Sequence, residues 1–226
     1  MNNKFFSGFS LLFVSVSSFA QITGLNLSYN MGNIKPVTSV KLLTPQSTDS
    51  LSLSAATGSR IAYGIGGFAR FGYAELKPVF LQVEINGFYS KHKYDFTNRT
   101  GDIASSYERT RFRIDAPVMA GLMIDFKKVV GIRAMAGLVP SIPFAEQSDR
   151  SFDVQWAEVF SNANIAYTYG VGLDIANRVT LDVRVQNDFT PRRESTVPSN
   201  ANYEFFRLTQ DQIVVKLGFR LSKEEE

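Results

Sequence analysis

Few residues in this chain are of a type and spacing that could do chemistry. The only histidine, His92, lies between Lys91 and Lys93 in a polar stretch. As a general base it would need a nucleophile in a defined setting, but no Gly-x-Ser-x-Gly elbow occurs, nor an HExxH pair or a Gly-rich phosphate loop. His92 therefore reads as a solvated loop residue. Without any cysteine there is no thiolate metal site, disulfide frame or lipidation box. Asp182 and Asp188 share one face of an alternating stretch, with Arg184 between them on that face, so they read as salt-bridge partners rather than an acid–base pair. The loop DRSFDVQWAEVF, Asp149 to Phe160, combines acids with Phe152, Trp156 and Phe160. It suits a cation or a protein partner, and equally a loop packed on its own aromatics. Asp49-Ser50-Leu51 fits a short bacterial O-glycosylation pattern. No catalytic residue, metal ligand or cofactor site is expected.

The densest charge lies in RFRIDAPVMAGLMIDF, from Arg111 to Phe126. Phe112, Ile114, Ala116, Val118, Ala120, Leu122 and Ile124 alternate with a row that begins Arg111, Arg113, Asp115. A period of two is an extended strand with one oily face and one charged face. The same alternation recurs along the chain, for example in Leu25, Leu27, Tyr29 and Met31; in Val79, Leu81, Val83 and Ile85; and in Leu181, Val183 and Val185 against Asp182, Arg184 and Gln186. Eight such strands can be marked, most of them about ten residues long, the length that crosses a bilayer when tilted.

The connections alternate as well. Short turns are expected at Ala74 to Lys77, Lys127-Lys128 and Ala176-Asn177, and long polar ones at Gly32 to Ser59, Ser90 to Arg109, Ser141 to Asn164 and Thr190 to Asp211. Tight turns at one end and long loops at the other mark an outer-membrane barrel. The expectation is an all-β, eight-stranded, antiparallel up-and-down transmembrane β-barrel spanning 21–226. Open sheet edges cannot exist in hydrocarbon, so the barrel must close. Its apolar face then meets lipid, and its charged face fills a lumen just wide enough for side chains. Arg60, Arg70, Glu84, Arg111, Arg113, Asp115, Arg133, Asp182 and Arg184 are expected inside as a structural charge network. Tyr29, Tyr63, Tyr73, Tyr89, Tyr167 and Phe189 fall near strand ends, where aromatic girdles belong. Pro117, in mid-strand, predicts a bulge.

Residues 1–20 read as a secretory signal peptide: Lys4, an apolar and Ser-rich run from Phe5, and Ser18-Phe19-Ala20 as the cleavage site. Removing Lys4 lowers the 24 basic side chains by one against an unchanged 21 acidic ones, so the mature chain is near neutral. No basic block stands out, which excludes nucleic acid as a partner. With an even strand number and short turns beside both ends, the termini are expected in the periplasm.

The run RFRIDAPVMAGL resembles the "hydrophobic-Glu/Asp-x-Pro-hydrophobic" strand of PorT-family outer-membrane β-barrels of Gram-negative bacteria. VVGIRAMAGLVPSIPF is similar to that family's next strand, YTYGVGLDIANRVTLDVRVQND to its Gly-rich hairpin, and QIVVKLGFRL to its closing strand. The resemblance implies fold and location, with outer-membrane lipid around the wall. Some relatives serve type IX secretion and gliding machinery, so protein partners in a secretion or envelope complex are expected. Two other functions fit the pattern: a small outer-membrane lipid-modifying enzyme, and a soluble periplasmic barrel carrying a ligand.

Overall fold

The computed structural model describes residues 22–36, 41–42, 51–52, 58–72, 78–97, 103–126, 129–148, 151–153, 163–176, 178–189, 192–194 and 206–221. Within them run the strands β1 (Ile22–Pro36), β2 (Gly58–Gly72), β3 (Val79–Thr97), β4 in two segments (Ile103–Asp115 and Val118–Phe126), β5 (Val130–Ser148), β6 (Asn164–Ile175), β7 (Val179–Asp188) and β8 (Phe206–Arg220). Each pairs antiparallel with its chain neighbour, and β1 also pairs with β8 from Gly24↔Arg220 to Pro36↔Leu208. The sheet is thereby a closed ring of eight strands. Short pieces at Ser151–Asp153 and Arg192–Glu194 extend β5 and β8, and Lys41–Leu42 pairs with Leu51–Ser52.

The alternation in the sequence becomes two walls. On β7, Leu181 and Val183 are 36% and 44% exposed while Asp182 and Arg184 between them are 4% and 2%. The outer wall is apolar all round, through Leu25, Leu27, Ile65, Leu122, Ile132, Val171 and Leu217. Inside lie most of the buried charged and amide side chains, together with Phe68, Phe80, Phe88, Met119 and Met135. Glycine makes room for the largest of these. Gly24, Gly64 and Gly121 stand directly opposite Phe68, Phe88 and Phe80 in the ladder. A Cβ at those glycines would come within 2.5, 2.4 and 2.6 Å of the facing ring. A small residue paired with a large one across the ladder lets an eight-stranded interior fill without a pore.

Several expectations need correction. The β3–β4 connection is not the long Ser90–Arg109 loop but residues 98–102, because both strands run on as paired ladder through Phe96↔Ser105. His92 is therefore a strand residue on the inner face, 2% exposed. Likewise β1 runs on to Pro36 past the expected loop start at Gly32, β5 continues to Ser148 instead of ending at Ser141, and β8 begins at Phe206 before the expected loop end at Asp211.

The bulge is also displaced from Pro117. Register across the proline holds, from Asp115↔Ser141 to Val118↔Leu138, and the extra residue, Phe144, falls between Phe112↔Ala145 and Arg113↔Pro143. What proline removes is reciprocity. The Ala116 N–H donates to the Pro140 carbonyl and the Glu84 N–H to the Pro117 carbonyl, each at 2.9 Å. A hydrogen-bonded antiparallel pair normally exchanges two bonds, and neither proline has an N–H to return one. β4 is interrupted there without slipping.

At the other end the connections are tight. Ala176 adopts φ 48°, and the Arg178 N–H closes the β6–β7 turn on the Ile175 carbonyl at 3.1 Å. Residues 1–20, expected to be a signal peptide, and Tyr73, Trp156 and Phe160 lie outside the described residues, and only the backbone of Phe152 is described.

Candidate functional site: the charged lumen

Strand alternation sends every second residue inward, and ring closure brings those rows to one axis. Glu84 of β3 is the hub. Its Oε1 accepts from Gln82 Nε2 and from Arg184 Nη2, both at 2.6 Å. Its Oε2 accepts from Asn86 Nδ2 at 3.1 Å and from Lys216 Nζ. Four donors fill the lone-pair positions of a carboxylate, and Glu84 is 1% exposed. Asp182 bridges two arginines, taking Arg133 Nη2 on Oδ1 at 2.7 Å and Arg184 Nη2 on Oδ2 at 2.5 Å. Arg133 also pairs with Asp174 at 2.9 Å and donates to Gln82 at 3.2 Å. Asp174 in turn receives Arg70 Nη1 at 2.8 Å and Arg220. Arg70 packs its guanidinium against Phe80, 5.3 Å from the ring centroid. Burying charges is tolerated only when each is paired and hydrogen-bonded. Here three carboxylates and five cations from six strands meet that condition together.

Nearer the long-connection end the lumen changes character. Arg113 pairs with Asp115 at 2.9 Å and lies 4.9 Å over the Phe88 ring, while Ser141 Oγ donates to Asp115 at 2.7 Å. Arg60 donates to Gln210, and Asn164 Nδ2 to Asp188 at 3.0 Å. Arg111 is buried, and its carbonyl accepts from Ser90 Oγ at 3.2 Å. His92 Nε2 lies 3.1 Å from the same Ser90 Oγ.

All nine charged residues picked from the sequence are thus inside, but they do not form one network. Arg70, Glu84, Arg133, Asp182 and Arg184 share the central cluster. Arg113 pairs with Asp115, and Arg60 donates to Gln210. Gln82, Asp174, Lys216 and Arg220, on the inward phase of their strands but left out of the expected charge network, complete the cluster. Their signal was the same alternation phase, applied to every strand instead of to the most charged ones.

The chemistry open to this arrangement is narrow. Ser90 and His92 are two residues apart on one strand face and are a hydrogen-bonded pair, but both are shut inside a filled lumen. A cavity of about 10 Å³ lies near the middle of the barrel, lined in part by Asn86, Asp115, Arg184 and Gln186. No substrate fits a space of that size. Among the described residues no group of three or more His, Asp or Glu could hold a metal ion.

A closed antiparallel ring with an oily outer wall and a charged, filled interior is a membrane-spanning β-barrel, the inverse of a soluble carrier with an oily core. Residues 19–190 match the family model of the outer membrane protein beta-barrel domain, and the chain belongs to that family. Its place is accordingly the outer membrane. No curated protein matches the chain. Among solved structures it is similar to OprG of Pseudomonas aeruginosa, at 8% identity over 88% of this chain and 97% of that one, TM-score 0.48. Ail, the attachment invasion locus protein of Yersinia pestis, is similar at 9% over 88% and 98%, TM-score 0.39. The outer membrane protease OmpT of Escherichia coli is similar at 6% over 87% and 96%, TM-score 0.36. At such identities and scores these likenesses carry nothing about function.

Proposed function

We propose that this barrel is a non-enzymatic structural or interaction component of the outer membrane, with its partners among the proteins of a secretion or envelope complex. The observation that carries the reading is the saturated Glu84 cluster. Arg184, Lys216 and Arg133 hold Glu84 and Asp182 in ion pairs, so neither of these carboxylates is placed to act as an acid or base. Function then falls to the wall and the connections. In this reading residues 1–20 are removed after Ala20, the short turns and both ends of the ring face the periplasm, and the long connections carry partner contacts, including Phe152, Trp156 and Phe160. The nine charged residues serve to hold the interior together. The resemblance of RFRIDAPVMAGL to the PorT-family strand supports a type IX-like secretion complex as the assembly.

Affinity purification of the tagged chain from detergent-solubilised outer membrane tests this. Envelope-complex proteins should travel with it in stoichiometric amount, and a chain recovered alone after mild cross-linking would sink the proposal. Reconstituted protein should also show no stable large conductance in planar bilayers.

One observation favours a lipid-modifying enzyme instead, the Ser90–His92 hydrogen bond. Ser90→Ala and His92→Gln separate the two readings. Both variants should leave the lipid profile of the membrane unchanged if the barrel is non-catalytic.

A further inference from the structure

At one level of the wall, β4 keeps a single backbone bond on each side where two are usual. Toward β5 the Ala116 N–H reaches the Pro140 carbonyl, and toward β3 the Pro117 carbonyl takes the Glu84 N–H. Neither proline can return the second bond of its pair. The β4–β5 ladder is disturbed again a few residues further on, where Phe144 bulges between Phe112↔Ala145 and Arg113↔Pro143. By contrast, β6–β7 runs in unbroken register from Ala166↔Asp188 to Ile175↔Val179. On the outer side the gap is flanked by Val118 and Leu138, 45% and 54% exposed, so it lies in the wall that meets lipid. Behind it is the luminal cavity of about 10 Å³, lined in part by Pro117 of β4 and Val139 of β5. The seam therefore also lacks full packing on its inner side.

Side chains on the inner face compensate. Ser141 and Asp115 stand directly opposite each other across this seam, and Ser141 Oγ donates to Asp115 Oδ1 at 2.7 Å. Asp115 Oδ2 is held by Arg113 Nη2 at 2.9 Å. The Arg113 guanidinium lies 4.9 Å over Phe88, its ladder partner on β3. One chain of side-chain contacts thus spans β3, β4 and β5 beside the rungs that proline removes. A backbone group parted from its partner finds no substitute in hydrocarbon, so a barrel wall opens most readily where fewest bonds must break. We propose that the β4–β5 seam around Ala116 and Pro140 is a built-in lateral opening of the barrel wall, latched by the Ser141–Asp115 hydrogen bond and braced by Arg113. When the latch releases, the strands part between the continuous ladder that starts at Val118↔Leu138 and the bulge at Phe144. The lumen beside Pro117 then faces lipid.

The test is amide hydrogen exchange, followed by NMR on the mature chain refolded into lipid nanodiscs. The amides of Ala116 and Val118 should exchange about tenfold faster than those of Val171 and Val183 in β6–β7, as the loss of one or two net hydrogen bonds implies. Equal protection of the two seams would overturn the opening. Ser141→Ala removes the latch, and should speed exchange at Ala116 and Val118 several-fold more while leaving Val171 and Val183 as they were. A change of the same size in both seams would mean a general loss of stability and no latch. Pro140→Ala restores the N–H that can return a bond to the Ala116 carbonyl, so exchange at Ala116 should slow. If it does not, proline is not the cause. The chain has no native cysteine, so Val118→Cys with Leu138→Cys can bridge two residues that are opposite each other across the seam. Oxidation should bring Ala116 to the protection of β6–β7, and reduction should reverse it. Exchange that stays fast in the bridged barrel would place the opening elsewhere and sink the proposal.

Discussion

The two halves of the lumen solve the same problem differently. Toward the short turns, Glu84, Asp174 and Asp182 hold Arg70, Arg133, Arg184, Lys216 and Arg220 in one continuous set of ion pairs, packed beside Phe80, Met119 and Met135. Toward the long connections the inner face carries many amides and hydroxyls, Asn30, Ser90, Ser141, Asn164, Thr168, Gln210 and Gln212, around the Arg113–Asp115 pair. There both side-chain polar atoms of Gln212 lack a protein partner. The first half is a cooperative network, in which removing one member strands several others. The second is a set of separable contacts whose groups water can satisfy. One half fixes the interior as a unit, and the other relies on smaller contacts nearer the connections proposed to meet partners.

The sharpest way to break this contrast is at its hub. Glu84→Gln leaves Arg184 and Lys216 facing a neutral amide in a dry interior, and should cost about 3–5 kcal/mol, the range for orphaning a buried charge. Urea unfolding in lipid vesicles, followed by the gel shift between folded and boiled protein, measures it. A loss below about 1 kcal/mol, as for an exposed pair, would mean that water already reaches Glu84.

Next in size comes the wall. Val183→Arg puts a charge in the lipid next to two residues of the network, and should cost about 2–4 kcal/mol if Val183 lies near mid-bilayer. Single cysteines at Leu181, Val183 and Val185 carrying a fluorophore should be quenched by lipid-borne quenchers, and cysteines at Asp182 and Arg184 should not. The reverse pattern would turn the barrel inside out, since one residue of slip moves every side chain to the other face.

Gly64→Val probes packing at the boundary between the halves. Its new Cβ meets the Phe88 ring, and the cost should be about 1–3 kcal/mol, as for other overpacked interiors. Phe88→Leu in the same chain should recover part of it in the same unfolding assay. The smallest effect is expected deepest in the amide-rich half. Gln212→Met removes two polar atoms without a protein partner, and should change stability by less than about 1 kcal/mol. A large loss there would show that the long-connection half is as tightly coupled as the other.

How much of this was legible beforehand differs between fold and site. The period of two and the sorting of turns were enough for an eight-stranded barrel, and the burial of Arg111, Arg113 and Asp115 bears out the inward phase of RFRID. The strand ends were not legible past the membrane. Polar residues from Ser90 to Thr97 read as loop by composition, yet the ladder with β4 carries them on as strand, because backbone pairing does not stop where the hydrocarbon does. The consequence of Pro117 was misplaced for a similar reason. A missing N–H predicts a defect, but register is held by the rungs on either side, and the extra residue fell at Phe144 instead.

Alternation along each strand, a property of the chain alone, determined which residues face inward, since the pleat leaves no choice. Which of them meet is a property of the closed ring. Glu84 and Arg184 are 100 positions apart, and Glu84 and Lys216 are 132 apart. Their encounter depends on strand stagger and on the closing β1–β8 seam, neither of which is written in any one strand. The tertiary structure alone decided that Glu84 is the hub, that Arg113 pairs locally with Asp115, and that a cavity remains beside Gln186. In a barrel this narrow, position around and along the axis sets each inner side chain's partners, and only ring closure assigns that position.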